Sequence, residues 1–312
     1  MLKTYITNKH GIIQETEEIT KGCWVNVIAP TEEEIDYLMK QLQIPLDFLK
    51  DPLDEEERSR IEKEDNNILI IINMPLVSKD EFDRPIYDTI PIGMIITNEC
   101  FVTICLKDNS ILHLFLQNKV KQFFTFKKTR FALQILYLTA TSYLKYLKQI
   151  NKMTDEIENE LHQSMKNKEL FTLLNMSKSL TYFTTSLKSN NIVMQKMLRT
   201  NYMRMYEDDK ELLEDVIIEN QQAIEMAETH TTILSGMMDA FASVISNNLN
   251  IVMKFLTSFT IILALPTMVA SFYGMNVHIP FQDYPRAFYV PMTLSIIFST
   301  ITAIIFWKKK FF

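Results

Sequence analysis

The sequence predicts an α+β domain followed by a long stalk helix and two helices that cross a membrane. Charge is divided along the chain: the formal net charge of −6 combines −10 in residues 1–250 with +4 in residues 251–312. Two segments, residues 255–273 and 287–307, are apolar, and neither contains a charged side chain. No proline lies between residues 92 and 265, so very long helices can form there.

Residues 1–126 predict the α/β domain. Thr31 and Glu34 have the spacing of a capping box, which places the start of a helix between them. Short apolar runs bounded by polar or turn-forming residues predict buried strands. These runs are 24–28, 67–73, 90–97 and 101–106.

Beyond residue 126 the pattern becomes helical. Residues 127–207 predict helices that pack on the sheet, and residues 208–273 predict one stalk helix that continues into the first membrane span at about residue 251. At 1.5 Å per residue the stalk would be on the order of 100 Å long. Apolar residues at alternating three- and four-residue steps give it a seam for packing against other helices.

The two apolar segments have the ~20-residue length that a helix needs to cross the bilayer. A loop of residues 274–286 joins them, so they form an antiparallel hairpin. The second span ends at Trp307, and the basic tail 308–312 reads as cytoplasmic under the positive-inside rule. We therefore expect a multi-pass protein of the cell membrane with both termini in the cytoplasm and no cleavable signal peptide, because residues 1–21 lack an apolar core.

Several function classes have no support in the sequence. It has no P-loop, no dinucleotide-binding glycine motif, no zinc-type pairing of Cys with His and no nucleophile signature, so an enzyme is the weakest interpretation. The acidic main part excludes a polybasic nucleic-acid binder. Three cysteines without metal-ligand spacing fit small buried side chains in a reducing compartment.

One motif directs the functional interpretation. The first span ends in Tyr273-Gly274-Met275-Asn276, followed by the short loop, the second span and Lys308-Lys309-Lys310. This arrangement resembles the CorA family of divalent-cation channels, whose signature is Gly-Met-Asn at this place. The resemblance extends over the whole chain and includes the strand at 24–28 and the segment from Pro45 to Arg58.

The resemblance implies a homopentameric funnel that conducts Mg²⁺. Five copies of Asn276 would form a selectivity ring, Gly274 would permit a sharp turn of the backbone, and Met275 would pack to hold that turn. Mg²⁺ loses its water reluctantly. Amide oxygens can accept hydrogen bonds from its hydration shell without trapping the ion by charge.

The resemblance also implies which residues line the pore. They match the family's pore-lining positions without a gap, and their steps of three and four residues place them on one helix face. The set is Asn250, Met253, Leu256, Thr260, Ala264 and Thr267. Asn250 would form a polar inner ring, and Met253 with Leu256 an apolar constriction that closes by dewetting.

Mg²⁺ is expected in two roles, as the transported ion and as a regulator bound between subunits. Asp215 matches the family's sensor aspartate, with Asp80 or Glu81 of the neighbouring subunit as its partner, and Asp239 matches an acidic position lower in the stalk. Bound cations would neutralise facing carboxylates and hold a closed ring. The alternative is that these carboxylates only form a solvated face.

Two departures from the family pattern stand out. Ala264 occupies the position of a common methionine, with Pro266 one residue later than usual, and Asp283 is the sole acidic residue of the outer loop.

Two alternatives to a Mg²⁺ channel also remain. The chain could transport Co²⁺, Ni²⁺ or Zn²⁺, or it could be a membrane-anchored interaction protein whose apolar hairpin serves only as an anchor.

Overall fold

The computed structural model describes residues 1–79, 84–163, 167–200, 202–278, 280, 285–309 and 311. The chain divides into two compact units, Met1–Ser235 and Gly236–Phe312. The first unit contains the sheet and most of the helices, and the second contains the apolar segments. The predicted α+β domain, long helix and C-terminal apolar helix are all present.

The first unit is built around a sheet of seven strands in the order β2-β1-β3-β7-β6-β5-β4. The strands are β1 (Leu2–Thr7), β2 (Ile13–Thr16), β3 (Trp24–Ile28), β4 (Arg60–Glu64), β5 (Asn67–Lys79), β6 (Pro85–Ile96) and β7 (Phe101–Cys105). Neighbours are antiparallel except β3 and β7, which run parallel at the centre of the sheet. The hairpin expected at residues 90–106 is confirmed as β6 and β7.

Seven α-helices complete the described fold. They are α1 (Glu32–Leu42), α2 (Leu46–Lys50), α3 (Ser110–Leu116), α4 (Lys128–Gln163), α5 (Asn167–Arg199), α6 (Glu207–Tyr273) and α7 (Tyr289–Lys308). The capping box is confirmed at the start of α1. There the Thr31 hydroxyl accepts from the Glu34 amide at 3.3 Å, and the Glu34 carboxylate accepts from the Thr31 amide at 3.0 Å.

Each face of the sheet has its own apolar core because successive strand residues point to opposite sides. On one face, Trp24 packs edge-on against Phe131 of α4 with ring centroids 5.1 Å apart, and its indole N–H donates to Thr103 at 2.8 Å. On the other face, Val25 and its neighbours pack against α1 and α2. The strands are therefore buried on both sides, which explains their continuous apolar runs.

The apolar seam of α6 is occupied within the chain itself over the first unit. Leu213, Ala227 and Leu234 are buried there. Two polar contacts join α6 to α5: the Asn220 amide donates to the Leu187 carbonyl at 3.0 Å, and Lys188 pairs with Glu228 at 2.6 Å. This part of the stalk is thus held by its own chain, and the helix that its predicted seam meets there is α5.

Candidate functional site

The predicted pore-facing residues of the second unit lie on one exposed side of α6. Thr260, Ala264 and Thr267 border the same groove, whose volume is about 580 Å³. All three are exposed in the single chain. Thr260, Ala264 and Thr267 therefore share one exposed side of α6.

A hydrogen bond to α7 marks the opposite side of α6, and Ser258 and Val269 on that side are buried, at 0% and 3% exposure. The Ser299 hydroxyl of α7 donates to the Ile262 carbonyl at 3.4 Å. Ile262 is two residues from Thr260, which corresponds to a rotation of about 200° around the helix. The groove consequently points away from α7.

Pro266 gives a reason for this helix–helix contact. Within a helix, proline lacks the N–H that would otherwise bond the carbonyl four residues earlier. For Pro266 that carbonyl belongs to Ile262, and it is the one that receives the Ser299 hydroxyl. Helix α6 continues through the proline, with α7 supplying a donor that the α6 backbone lacks.

The threonines present oxygen lone pairs to the groove. Thr260 donates its hydroxyl hydrogen to the Leu256 carbonyl at 2.8 Å, and Thr267 donates to the Leu263 carbonyl at 3.1 Å. With the hydrogen engaged in the helix, each oxygen is left as an acceptor. An uncharged acceptor of this kind suits the water molecules around a hydrated cation.

Ser271 is a groove residue that the sequence analysis missed. It borders the same groove as Thr267 and lies four residues beyond it, one helical step closer to the Gly-Met-Asn motif. The signal was available, because the three- and four-residue steps that end at Thr267 can be continued to residue 271.

The inner part of the predicted face is also exposed. Asn250 is exposed, and Met253 and Leu256 are 52% and 54% exposed. In a soluble protein such apolar exposure would be unfavourable, but in a membrane helix it suits a surface facing lipid, another subunit or a pore.

The Gly-Met-Asn motif follows directly on the end of α6. The Gly274 amide still donates to the Ala270 carbonyl at 2.9 Å, so the backbone there continues the helical hydrogen bonding. An added Cβ at Gly274 would lie 3.3 Å from that carbonyl, which is a tight contact. Met275 is 53% exposed. Asn276 is exposed too, and within the described residues its side-chain amide makes no hydrogen bond.

Four regulatory positions were predicted, and the structure describes two of them. Asp215 and Asp239 both lie on α6, are exposed, and have no ion-pair partner in the part of the chain that is described. Asp80 and Glu81 lie outside the described residues, as does Asp283 of the loop. The described residues also hold no group of three or more potential metal ligands. A site formed by one chain is therefore not seen among them.

A family model decides the classification. The model described as "CorA-like Mg2+ transporter protein" matches residues 20–310. The chain belongs to this CorA-like family. The match includes both units and the Gly-Met-Asn motif, and it places the protein among membrane transporters.

Individual relatives agree with this classification. The chain is 29% identical over 291 residues to the Cobalt/magnesium transport protein CorA of Methanocaldococcus jannaschii, covering 92% of this chain and 90% of the relative. It is 24% identical over 275 residues to the protein of the same name from Thermotoga maritima, covering 84% and 75%. The complete structure of the Methanocaldococcus jannaschii CorA magnesium transporter matches with a TM-score of 0.83 at 27% identity, over 98% of this chain and 97% of that one.

Two helices of this CorA-like protein are long and apolar enough to cross a membrane. They are α6, through its C-terminal part, and α7. The apolar window of each is almost entirely exposed, with 11% of the α6 window and none of the α7 window buried. A soluble core helix would be buried, so the exposure together with the family assigns both helices to the bilayer.

Proposed function

We propose that this protein is a gradient-driven Mg²⁺ channel in which several copies surround one ion pathway. The observation that carries the proposal is the exposed groove of α6, which turns away from α7, carries acceptor oxygens and leads to the Gly-Met-Asn motif. Two membrane helices from one chain cannot enclose a pathway. A ring of copies can, and we propose a ring of five because the family resemblance favours that number.

In this arrangement the ion crosses with most of its water in place. Asn276 forms the outer ring and accepts hydrogen bonds from the hydration shell, while Thr267 and Thr260 offer further acceptors below it. No charged side chain lies along this face, so the ion is not trapped. An inside-negative potential favours entry of a divalent cation by about 4.6 kcal/mol per 100 mV.

Closure is proposed to occur at the inner half of the groove and to be controlled from the cytoplasm. Met253 and Leu256 would form the apolar constriction, with Asn250 at the inner mouth. Exposed Asp215 would bind regulatory Mg²⁺ together with a carboxylate of the neighbouring subunit, from Asp80 or Glu81, and Asp239 would act lower in the stalk. Loss of that Mg²⁺ would leave the carboxylates repelling one another and loosen the ring.

Cobalt is the second candidate ion. The two CorA relatives are named as cobalt/magnesium transport proteins, which favours Co²⁺ over other divalent ions as a competing substrate. Competition between external Co²⁺ and Mg²⁺ for the same influx would identify a shared pathway.

The test is Mg²⁺ influx into proteoliposomes that contain a Mg²⁺-sensitive dye, little internal Mg²⁺ and an imposed negative potential. Asn276→Ala is compared with His278→Ala, which changes another exposed residue of the same segment. We expect influx with the wild-type protein and with His278→Ala, and only the leak of empty vesicles with Asn276→Ala.

Each other result has a defined meaning. Influx that survives Asn276→Ala would move the selectivity site to the groove or the inner ring. Absence of influx from folded wild-type protein would contradict the Mg²⁺ channel and leave Co²⁺ or an anchoring role.

For regulation, Asp215→Asn should raise the internal Mg²⁺ concentration needed for closure, whereas Asp36→Asn on α1, also exposed, should not.

A further inference from the structure

Two buried cysteines lie side by side in the centre of the sheet. Cys23 immediately precedes β3 and Cys100 immediately precedes β7, and these strands are parallel with Trp24 opposite Phe101. One residue earlier on each strand, the register brings the two cysteines opposite each other. The Phe101 amide donates to the Cys23 carbonyl at 3.0 Å, which continues the pairing to this point.

The two side chains point into the same core. Both belong to the same apolar cluster and both are 0% exposed. Neighbouring strands are about 4.8 Å apart. That spacing lies within the ~4.4–6.8 Å range of Cα separations found across disulfides.

The environment makes the two thiols unequal. Interaction with Cys100 lowers the pKa of the Cys23 thiol, whereas interaction with Cys23, together with burial, raises the pKa of the Cys100 thiol. Such an unequal pair has one sulfur that ionises more readily and one that remains protonated beside it.

Each of the two cysteines is preceded by a turn with exposed residues. The chain on the N-terminal side of Cys23 is a turn that contains exposed Lys21, and the chain before Cys100 is a turn that contains exposed Asn98 and Glu99. The two turns are joined by the Gly22 amide, which donates to the Glu99 carbonyl at 2.7 Å. Access of a small oxidant to the sulfurs requires these turns to open.

We propose that Cys23 and Cys100 form a reversible disulfide within one chain when the protein meets a peroxide. The Cys23 thiolate attacks one oxygen of hydrogen peroxide, the O–O bond breaks, and sulfenic acid and hydroxide result. The Cys100 sulfur then attacks the sulfenic sulfur, the S–O bond breaks, and the S–S bond forms. Two thiols and one peroxide thus give one disulfide and two waters. A small dithiol reverses the reaction by exchange.

Cys105 provides the internal control. It lies on β7 but faces the other core, where its strand neighbours are Ile28 and Ile92 and not a cysteine. Burial raises the pKa of its thiol to about 12. It should neither ionise readily nor find a partner sulfur.

The test uses the full-length chain in detergent, treated with hydrogen peroxide, blocked with an alkylating agent and digested with trypsin without reduction. Trypsin leaves Cys100 and Cys105 on one peptide, residues 80–107, so the linkage is assigned in Cys105→Ser. We expect the peptide 22–40 joined to 80–107 by a bond that dithiothreitol removes, and loss of this species in Cys100→Ala.

The linkage in Cys105→Ser does not depend on whether variants of Cys23 or Cys100 fold. Sulfinic acid without the linked peptide, links between chains, or thiols that react only after denaturation would each overturn the proposal. The result does not depend on ion transport, so a failure of this proposal would leave the proposed channel unaffected.

Discussion

Replacing Asn190 with leucine is expected to destabilise the first unit strongly. Asn190 lies on α5, fully buried, and bonds both peptide groups of Asn73 on β5. Its side-chain oxygen accepts from the Asn73 amide at 2.9 Å, and its nitrogen donates to the Asn73 carbonyl at 2.8 Å. The oxygen also accepts from the Ser59 hydroxyl at 2.8 Å. Strand β4 begins only at Arg60, opposite Ile71, so a side chain bonds the β5 backbone at Asn73, beyond the reach of β4.

The magnitude follows from these bonds. Each lost hydrogen bond costs about 1 kcal/mol, and the Asn73 amide left buried without a partner adds about 1–3 kcal/mol. With all three bonds of its side chain lost, Asn190→Leu should therefore lower the free energy of unfolding by about 4–6 kcal/mol. Tyr143→Phe removes one donor to the same carbonyl, at 3.0 Å, but leaves the Asn190 bond in place, so it should cost about 1–2 kcal/mol.

Asn191→Leu is the matched control. The neighbouring Asn191 has a buried side-chain oxygen with no hydrogen-bond partner in the described part of the chain. The same substitution there removes an unpaired polar atom, and stability should stay the same or increase.

The assay is denaturant unfolding of the full chain in detergent, followed by the fluorescence of Trp24. Trp24 is fully buried in the first unit, and Trp307, which is 74% exposed, is replaced by phenylalanine so that Trp24 alone reports. A loss in Asn190→Leu no greater than that in Tyr143→Phe or Asn191→Leu would refute the account of this network.

Three further predictions use the same chain. Thr267→Val should reduce Mg²⁺ influx because it removes a groove acceptor, whereas Thr293→Val on α7, with the same kind of backbone bond, should leave it near wild type in proteoliposomes. In unfolding experiments Gly93→Ala should lower the free energy of unfolding by about 1–3 kcal/mol, because its Cβ would come within 2.4 Å of a packed side chain. Gly236 has open space around it, so Gly236→Ala should stabilise α6 by about 0.5–1 kcal/mol. Burial lowers the pKa of His230 below its ordinary 6.5, so the unfolded chain takes up that proton more readily. Stability should therefore fall as pH drops below about 6.5, and His230→Gln should remove this component from the pH dependence of unfolding.

Local patterns predicted the elements whose causes are local. The capping box of Thr31 and Glu34, the apolar strands and the absence of breakers before Pro266 each act within a few residues, and the structure confirms the elements they predicted. Strands β1, β2 and β4 were not predicted, since they are polar or short edge elements with weak alternation. Their place depends on pairing with distant partners.

Part of the candidate site could be predicted in the same way. Thr260, Ala264 and Thr267 share a side of α6 because helical geometry requires it once the segment is a helix. The sequence did not say which side would face α7. Contact with Ser299, across 37 residues, settles that orientation, and it also reveals Ser271 as a member of the groove.

By itself, the sequence determined the order of the elements, the two apolar spans and the family motif at Gly274-Met275-Asn276. These follow from hydropathy, periodicity and short-range spacing. Only the tertiary structure decided that Asn190 completes the bonding of β5 and that Cys23 meets Cys100. These contacts join residues at least 77 positions apart. No local preference specifies such pairs, because they form only when strand register and helix packing bring distant segments together.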